Sequence, residues 1–447
     1  MANISFEEHI NKNGHILFWQ PKLQYRINSE KVLGMDLDWT IIKPIKGKIH
    51  PIDENDWEFL NEVKLSRIKN KIDNGYKFVI FTNQARLLNP ITQMGLEGFK
   101  NRWIHIYNKL QNAHIYSVYL LISLYDDYNR KPSTGMWEFM ISHLNNNIHI
   151  NYTQSIYIGD MAGRIHDYSN SDLLFAMNLN IDFLVPETFY NDSLNSNSNS
   201  NKYKIFNNEI FNIKIFNSKQ YIQNYDKNIT AINQNIINNI KTLLKTLINN
   251  QKQYVILFVG SPSSGKTTFY NSHLKNINNL IYFNNDTFNG TNAKFLKAIE
   301  IQLMANANAN LSSLKDFRDN SFANIIIDNT NGTIKSREKY INLCNNLCNE
   351  LNKQIEIIII KFNTSKIITL HLNALRTKTI NACVINGFNA NECKYNVPAV
   401  AIYNYWKHLE EPDINKEKFN YLFEIEYEPI FSNDTINITQ TQFELLL

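Results

Sequence analysis

The run Tyr254-Val-Ile-Leu-Phe-Val-Gly260 passes directly into Ser261-Pro262-Ser263-Ser264-Gly265-Lys266-Thr267-Thr268, and a helix-compatible stretch, Phe269 to Asn276, follows at once. This junction restricts the chain more than any other feature in it. An unbroken apolar run bounded by glycine reads as a buried strand, and the spacing GxxxxGK[ST] between strand and helix turns consecutive backbone N–H groups toward one anion. Gly260, Ser261, Ser263, Ser264 and Gly265 are therefore expected to cradle a phosphate chain with Thr268 alongside. Lys266 is expected to reach the outer phosphates and Thr267 to bind Mg²⁺. The cofactors expected here are ATP and Mg²⁺. A chance match in a Ser- and Gly-rich turn is the plainer alternative, and the flanking strand and helix weigh against it.

The same strand-and-helix rhythm runs through most of the chain. KVLGMD, KFVIFT and SIYIGD read as buried strands in residues 31–189, and YVILFVG, LIYFN, ANIIID and QIEIIIIKF as strands of a second series. Such alternation predicts an α/β fold with parallel sheets whose working loops sit at the strand C-termini. Four segments are expected: an N-terminal extension over 1–30, a first α/β domain over 31–189, a linker over 190–252 and a second α/β domain over 253–447. The linker opens with DSLNSNSNSN, which has nothing apolar to bury. It ends with Ile229, Ile232, Ile236, Ile237, Ile240, Leu243, Leu244, Leu247 and Ile248 at three-four spacing, an amphipathic helix expected to pack against the domain that follows.

Composition excludes little. A formal charge of +4 over 447 residues gives a weak field, which permits nucleic-acid binding without arguing for it. The four cysteines, Cys344, Cys348, Cys383 and Cys393, match neither a disulfide framework nor a usual zinc pattern and read as reduced thiols. The N-terminus has no signal-peptide pattern and no apolar run is long enough to span a membrane, so the expectation is an intracellular protein without a membrane partner. Nucleus, cytoplasm and a viral replication compartment all stay open.

Asp36-Leu-Asp38-Trp39-Thr40 closes the first predicted strand. Two carboxylates on one loop suit phosphoryl transfer to a carboxylate: Asp36 attacks phosphorus in line, while Asp38 protonates the leaving oxygen and later activates water. Alone, DxDxT is a common surface turn. Further parts follow at later strand ends. The Thr82 hydroxyl can hold phosphoryl oxygens, Lys131 can offset the charge on phosphate and nucleophile, and Asp160 offers an oxygen to Mg²⁺. An N-cap, a solvated surface charge and a turn residue are the respective plain readings.

These residues lie in longer strings: Gly47-Lys-Ile-His-Pro51, Asp56-Trp57, Phe81-Thr-Asn-Gln84, Arg130-Lys-Pro132, Thr134-Gly-Met-Trp137, Gly159-Asp-Met-Ala-Gly-Arg164 and Asp172 to Leu179. Through them this half resembles the haloacid-dehalogenase (HAD-like) phosphatases, and more narrowly the polynucleotide kinase 3′-phosphatase family. The resemblance implies that Asp36 is the covalent nucleophile and Asp38 the acid-base. It also implies that the metal is held by Asp36, Asp160 and the Asp38 carbonyl, with Asp172 supporting them from behind. Trp39 departs from the family, which usually has Gly there, and sets a large ring beside the nucleophile.

In the second half, Asp286 follows the next predicted strand, where it can take the proton of an attacking hydroxyl. Asp328 ends the strand Ile325-Ile-Ile327 and can hold the nucleotide's Mg²⁺ through water, and Arg376 can close over the transferred phosphoryl group. An N-cap, a turn and a surface helix charge are the alternatives. Asn284 to Thr287, Asp328 to Asn331, Ser336-Arg337 and Tyr340 resemble the kinase part of the same family. Asn285 and Ala374 stand where the family carries arginines, so fewer cations face the phosphates.

The resemblance implies one enzyme with two heads, a 3′-phosphatase acting through an aspartyl-phosphate and an ATP-dependent 5′-hydroxyl kinase, which together make broken DNA ends ligatable. RNA ends are the open alternative, because contacts to a 2′-hydroxyl cannot be read from sequence. A binding scaffold with decayed catalysis is less well supported, since all the named carboxylates and lysines are present, and the family-specific strings disfavour a small-molecule kinase-phosphatase. Animal members carry an N-terminal FHA module. The 30 residues before Lys31 leave no room for one, so recruitment by a phosphopeptide scaffold is not expected, and the protein is expected to be a monomer.

Overall fold

A computed structural model describes residues 5–89, 94–191, 216–286, 288, 291–304, 323–351, 354–387, 397–429, 431 and 439–447. By contact the chain divides into two units. The first comprises Met1–Tyr221, Ala374–Asn396 and Phe431–Leu447, and the second Ile222–Asn373 and Val397–Ile430. The serine- and asparagine-rich linker beyond Asn191 and Cys393 lie outside the described residues.

The first unit is built on a seven-stranded sheet. Its strands in chain order are β1 (Glu7–Asn11), β2 (Gly14–Trp19), β3 (Val32–Met35), β6 (Lys77–Asn83), β7 (Val118–Ser123), β8 (Ile156–Ile158) and β9 (Asp182–Leu184); β4 (Ile42–Lys43) and β5 (Glu58–Phe59) form a small ladder of their own. The spatial order is β1-β2-β7-β6-β3-β8-β9. From β7 to β9 every pairing is parallel, and β3 lies between β6 and β8. The parallel strands carry apolar side chains at nearly every position because helices cover both faces. Leu33, Met35, Phe78 and Ile80 feed one core, while Val32, Val79, Phe81 and Tyr157 feed the other.

Residues 7–19, inside the expected extension, form the antiparallel hairpin β1–β2, which adds an edge through β2 and β7. Its turn, Lys12-Asn13, is held by Asp127 and its neighbour: the His15 amide donates to Asp127 Oδ2 at 2.9 Å, and the Tyr128 amide to the Asn13 carbonyl at 3.0 Å.

The second unit carries the five-stranded parallel sheet β11-β12-β10-β13-β14, from β10 (Gln253–Val259), β11 (Leu280–Phe283), β12 (Asn324–Ile327), β13 (Ile355–Asn363) and β14 (Tyr421–Glu426). The helix Asn228–Asn249 lays Ile237, Ile240, Leu244 and Leu247 against Tyr254, Ile256 and Phe258, as its periodicity predicts, while Ile232 and Ile248 of the expected stripe are exposed at its margin. Arg337 lies inside the string that resembles the kinase family. It is fully buried, with Nε and Nη2 donating to Glu417 at 2.7 Å and Nη1 to the Asn331 and Glu410 carbonyls. Losing one member of such a pair typically costs about 3–5 kcal/mol, because it strands a buried charge. Arg337 therefore fixes the loop after β12. No helix among the described residues is long and apolar enough to cross a membrane.

Candidate active sites

In the first unit the chemistry collects where β3, β6, β7 and β8 end. A central strand flanked on both sides by parallel neighbours opens a crevice beyond its carboxyl end, and Asp36 is the first residue past β3. Its amide donates to the Ile158 carbonyl at 2.9 Å, which fixes the loop against β8. Lys131 follows β7 on a loop locked by Asn83, whose side chain both accepts from the Lys131 amide at 3.0 Å and donates to its carbonyl at 3.1 Å. The Lys131 ammonium is buried and donates to Asp36 Oδ1 at 2.6 Å, Asp172 Oδ1 at 2.7 Å and the Tyr157 hydroxyl at 2.8 Å. All three of its protons are satisfied, so it is anchored rather than solvated.

Asp172, expected to support the ligands from behind, brings its carboxylate into the same cluster, with Oδ2 accepting from the Met161 amide at 3.1 Å. Carboxylate oxygens of Asp36, Asp160 and Asp172 lie within 4.8 Å of one another. Gly159 makes this approach possible, since a Cβ there would sit 2.5 Å from Asp172. Burial pushes Asp36 up to about 7 despite the nearby Lys131, with Asp172 adding to the rise. Burial, then Asp36 and Asp172, push Asp160 up to about 8. Burial works against the charge on Lys131, yet Asp172 and Asp36 hold its pKa above the ordinary value. Three carboxylates against one ammonium leave excess negative charge in a buried pocket, and an oxygen-only donor set of this kind suits a hard divalent cation.

Asp38 points elsewhere. Gln84 Nε2 donates to its Oδ2 at 2.6 Å and Arg102 Nη1 to its Oδ1 at 3.3 Å. The same Gln84 nitrogen donates to the buried Thr82 hydroxyl at 2.9 Å. Two carboxylates two residues apart are thus given separate partners, Lys131 for one and Gln84 with Arg102 for the other. His50 stands nearby, its pKa lowered by burial and then by Arg86, with Asp38 opposing.

In the second unit the strand β10 runs into the glycine-rich loop as expected. Gly265 caps the helix Lys266–Phe269 at φ 93°, with open space where a Cβ would project. Lys266 Nζ donates to the Gly260 and Ser261 carbonyls at 2.9 and 2.7 Å, folded back across the loop. The buried hydroxyls of Ser261 and Ser264 have no partner among the described residues, as befits a loop that takes an oxyanion. Thr267 Oγ1 donates to Asp328 Oδ2 at 2.7 Å, and the Tyr282 hydroxyl donates to the same oxygen at 2.6 Å. Ser263 Oγ donates to Asn373 Oδ1 at 3.2 Å, while Thr268 is exposed. Asp286 is exposed on the turn after β11; its amide bonds Asn284 Oδ1 at 2.7 Å, and the Asn285 amide bonds Asn329 Oδ1 at 3.1 Å. Arg376 is half-buried on the helix Lys366–Ile385, three positions beyond Asn373, and by contact belongs with the first unit.

A family model described as polynucleotide kinase 3 phosphatase matches residues 31–190, the stretch that holds Asp36, Asp38, Thr82, Lys131, Asp160 and Asp172. Through these residues the chain belongs to the polynucleotide kinase 3 phosphatase family.

Its similarity to relatives of that family extends past the matched stretch. A bifunctional polynucleotide phosphatase/kinase of Schizosaccharomyces pombe is 27% identical over 378 residues, covering 83% of this chain and 77% of that one. A putative bifunctional polynucleotide phosphatase/kinase of Acanthamoeba polyphaga mimivirus is 27% identical over 382 residues, covering 80% and 77%. An uncharacterised 20.8 kDa protein of Autographa californica nuclear polyhedrosis virus is 34% identical over 168 residues, covering 36% of this chain and 85% of its own length.

Within the family's stretch, sequence reasoning missed Gln84, Arg102 and Tyr157 as parts of the site. Gln84 lay in a quoted string and needed only a partner. Arg102 had a signal: it interrupts the apolar stripe Phe99, Trp103, Ile106, Leu110 of the helix Gly95–Asn112, and a cation on a buried face implies a charge to meet. Tyr157 had none, because an aromatic inside β8 reads as core.

Proposed function

We propose that the chain is a bifunctional end-healing enzyme that removes 3′-phosphate through an aspartyl-phosphate and phosphorylates 5′-hydroxyl ends with ATP, acting on DNA breaks. The observation that carries this reading is the Lys131 ammonium buried between Asp36 and Asp172, in a family stretch of the same chain that carries Thr267 and Asp328 in contact below a phosphate loop.

In the first reaction Asp36 attacks phosphorus in line through the oxygen that Lys131 leaves free. A P–O bond forms at Asp36 as the P–O bond to the sugar breaks, and Asp38 gives its proton to the leaving sugar oxygen. Asp38 then takes a proton from water, which attacks the aspartyl-phosphate and restores Asp36 with release of phosphate. Gln84 and Arg102 hold Asp38 in position for both transfers. Thr82 and Lys131 keep the site compensated as charge moves from carboxylate to phosphoryl group. Mg²⁺ held by Asp36, Asp160 and the Asp38 carbonyl, with Asp172 alongside, would neutralise phosphoryl oxygens.

In the second reaction Asp286 accepts the proton of the 5′-hydroxyl as that oxygen attacks the terminal phosphorus of ATP, and ADP leaves. Gly260 to Thr268 grip the triphosphate, Lys266 unfolds from its carbonyls toward the outer phosphates, and Arg376 balances charge on the transferred group. Mg²⁺ bound through Thr267 and Asp328 would offset the charge of the nucleotide phosphates.

The test is a nicked duplex bearing 3′-phosphate and 5′-hydroxyl, incubated with ATP and Mg²⁺. Both ends are expected to be converted and the nick to become ligatable, with DNA healed faster than an RNA nick of the same sequence. Equal rates would extend the substrate to RNA, and no phosphate release from either would refute the reading.

The metal assignment has its own readout. The carboxyls of Asp36 and Asp160, raised to about 7 and about 8, favour folding while protonated, so that stability is lost as pH rises through those values. A divalent cation competes with those protons. Mg²⁺ without nucleotide is therefore expected to raise the melting temperature more at pH about 8.5 than at pH about 6, and Asp160→Asn to erase the difference. The same shift at both pH values would remove the metal from this group.

A further inference from the structure

Trp39 follows Asp38 directly and the reaction above leaves it unused, yet the chain carries two costs to keep it there. Its backbone sits at φ 61°, a left-handed conformation disfavoured for a large L side chain, and 37% of its surface is exposed. The ring is nevertheless held still. Its indole N–H donates to the Ile49 carbonyl at 2.9 Å, and its amide donates to the Ile42 carbonyl at 2.6 Å. A strained residue that the surroundings pin in place with its face open points to a ligand for that face.

Trp39 lines a cleft of ≈ 590 Å³ whose wall also includes Leu60, Asp160, Arg164, Pro186, Glu187 and Tyr190. Asp160 belongs to the carboxylate cluster with Asp36, so the cleft opens from the reacting centre. Its lining is mixed: apolar surface comes from Leu60, Pro186 and the indole, and the charged groups are the Arg164 guanidinium and the carboxylates of Asp160 and Glu187. Arg164 is fixed by Asp167 at 2.9 Å, by the Asp160 carbonyl at 2.9 Å and by Glu187 at 3.4 Å, so its charge is already met and it serves as wall. A group that is flat, apolar on its faces and linked to an anion fits such a space, and a sugar whose 3′-phosphate reaches Asp36 carries that kind of group.

Resting on the phosphatase reading, we propose that Trp39 is the stacking platform for the base of the 3′-terminal nucleotide, a positioning residue that selects phosphorylated strand ends over other phosphate esters. Stacking on an aromatic face is tolerant of sequence, so the platform reads that a base is present and not which base it is. The indole meets the base in the bound ground state and in the transition state alike. Its effect therefore belongs in KM and not in kcat.

The test pairs a residue change with a substrate change, using the full chain with Mg²⁺ and oligonucleotides ending in a 3′-phosphate on either a normal nucleotide or an abasic tetrahydrofuran unit. Trp39→Gly, which suits the backbone conformation, is expected to raise KM for the normal end by roughly 5- to 150-fold, the range of one stacked base. Its kcat is expected to stay within about twofold, and its KM on the abasic end to match the wild-type value. Trp39→Phe is expected to keep most of the discrimination. Equal losses on both substrates, a fall confined to kcat, or no change in KM would overturn the platform. A wild-type protein that released phosphate from neither oligonucleotide would instead overturn the phosphatase reading beneath it.

Discussion

Asp36→Ala is expected to reduce phosphate release from a 3′-phosphorylated nick by on the order of 10⁴-fold or more, while transfer of phosphate to a 5′-hydroxyl stays within about twofold of the wild type. The size follows from the role: removing a nucleophile takes away the whole covalent route, and only positioning by the surrounding groups is left. The sparing of the kinase follows from the separation of the two constellations into different sheets of different units. The variant is also expected to fold. Lys131 keeps Asp172 at 2.7 Å and Tyr157 at 2.8 Å, so no buried charge is stranded. Deleting one of three crowded carboxylates relieves repulsion that raises Asp160. Thermal melting at or above the wild-type temperature, together with lost phosphatase and intact kinase, is the expected pattern. Loss of both activities in a folded variant would mean that the two chemistries share a site.

Lys131→Met cannot substitute for this experiment. It would leave Asp36 and Asp172 buried without their cation, and a collapsed fold would mimic a lost activity. The contrast shows how the site is built. Lys131 is held on all sides by its partners, whereas Asp36 takes its lysine bond on Oδ1 and leaves Oδ2 without a donor among the described residues.

Much of this was legible because the relevant elements are short, apolar and end in polar clusters. β3, β6, β8 and β10 to β13 all read as strands from unbroken apolar runs, and the carboxylates past β3, β8 and β12 stood out by position alone. The hairpin β1–β2 was not read, because its turn pair is Lys12-Asn13, one residue out of step with the Asn-Gly pair that would announce a turn, in a chain so rich in asparagine that the signal is dulled. β7 was passed over because Val118 to Ser123 carries no motif at its end until Lys131, eight residues later. What sequence cannot announce is which distant side chains meet. The Asp38 carboxylate is set by Arg102, 64 positions away, and Asn178 holds Leu446 across 268 positions. The Tyr128 hydroxyl meets Thr379 across 251. Spacing gives the faces of single elements, and such pairings are decided only when the faces pack.

Lys266→Ala is expected to give the reverse of the first result, with phosphate transfer from ATP reduced by roughly 10²- to 10³-fold and 3′-phosphate release within about twofold of the wild type. Lys266 Nζ is bonded to the Gly260 and Ser261 carbonyls, so truncation removes two hydrogen bonds that a nucleotide's phosphates would replace. The loop keeps its other ties, Gly260 N to the Thr330 carbonyl at 3.0 Å and Thr364 Oγ1 to the Ser264 carbonyl at 3.0 Å, so its conformation should survive. Binding gives a second readout that does not depend on turnover. In the wild type, ATP with Mg²⁺ should raise the melting temperature in proportion to the logarithm of its concentration over Kd, and in Lys266→Ala that rise should shrink or vanish. Full ATP stabilisation with lost transfer would place Lys266 at the reacting phosphate alone and not in binding. Unchanged transfer would show that the glycine-rich loop is not where the triphosphate sits, and the kinase assignment would fall with it.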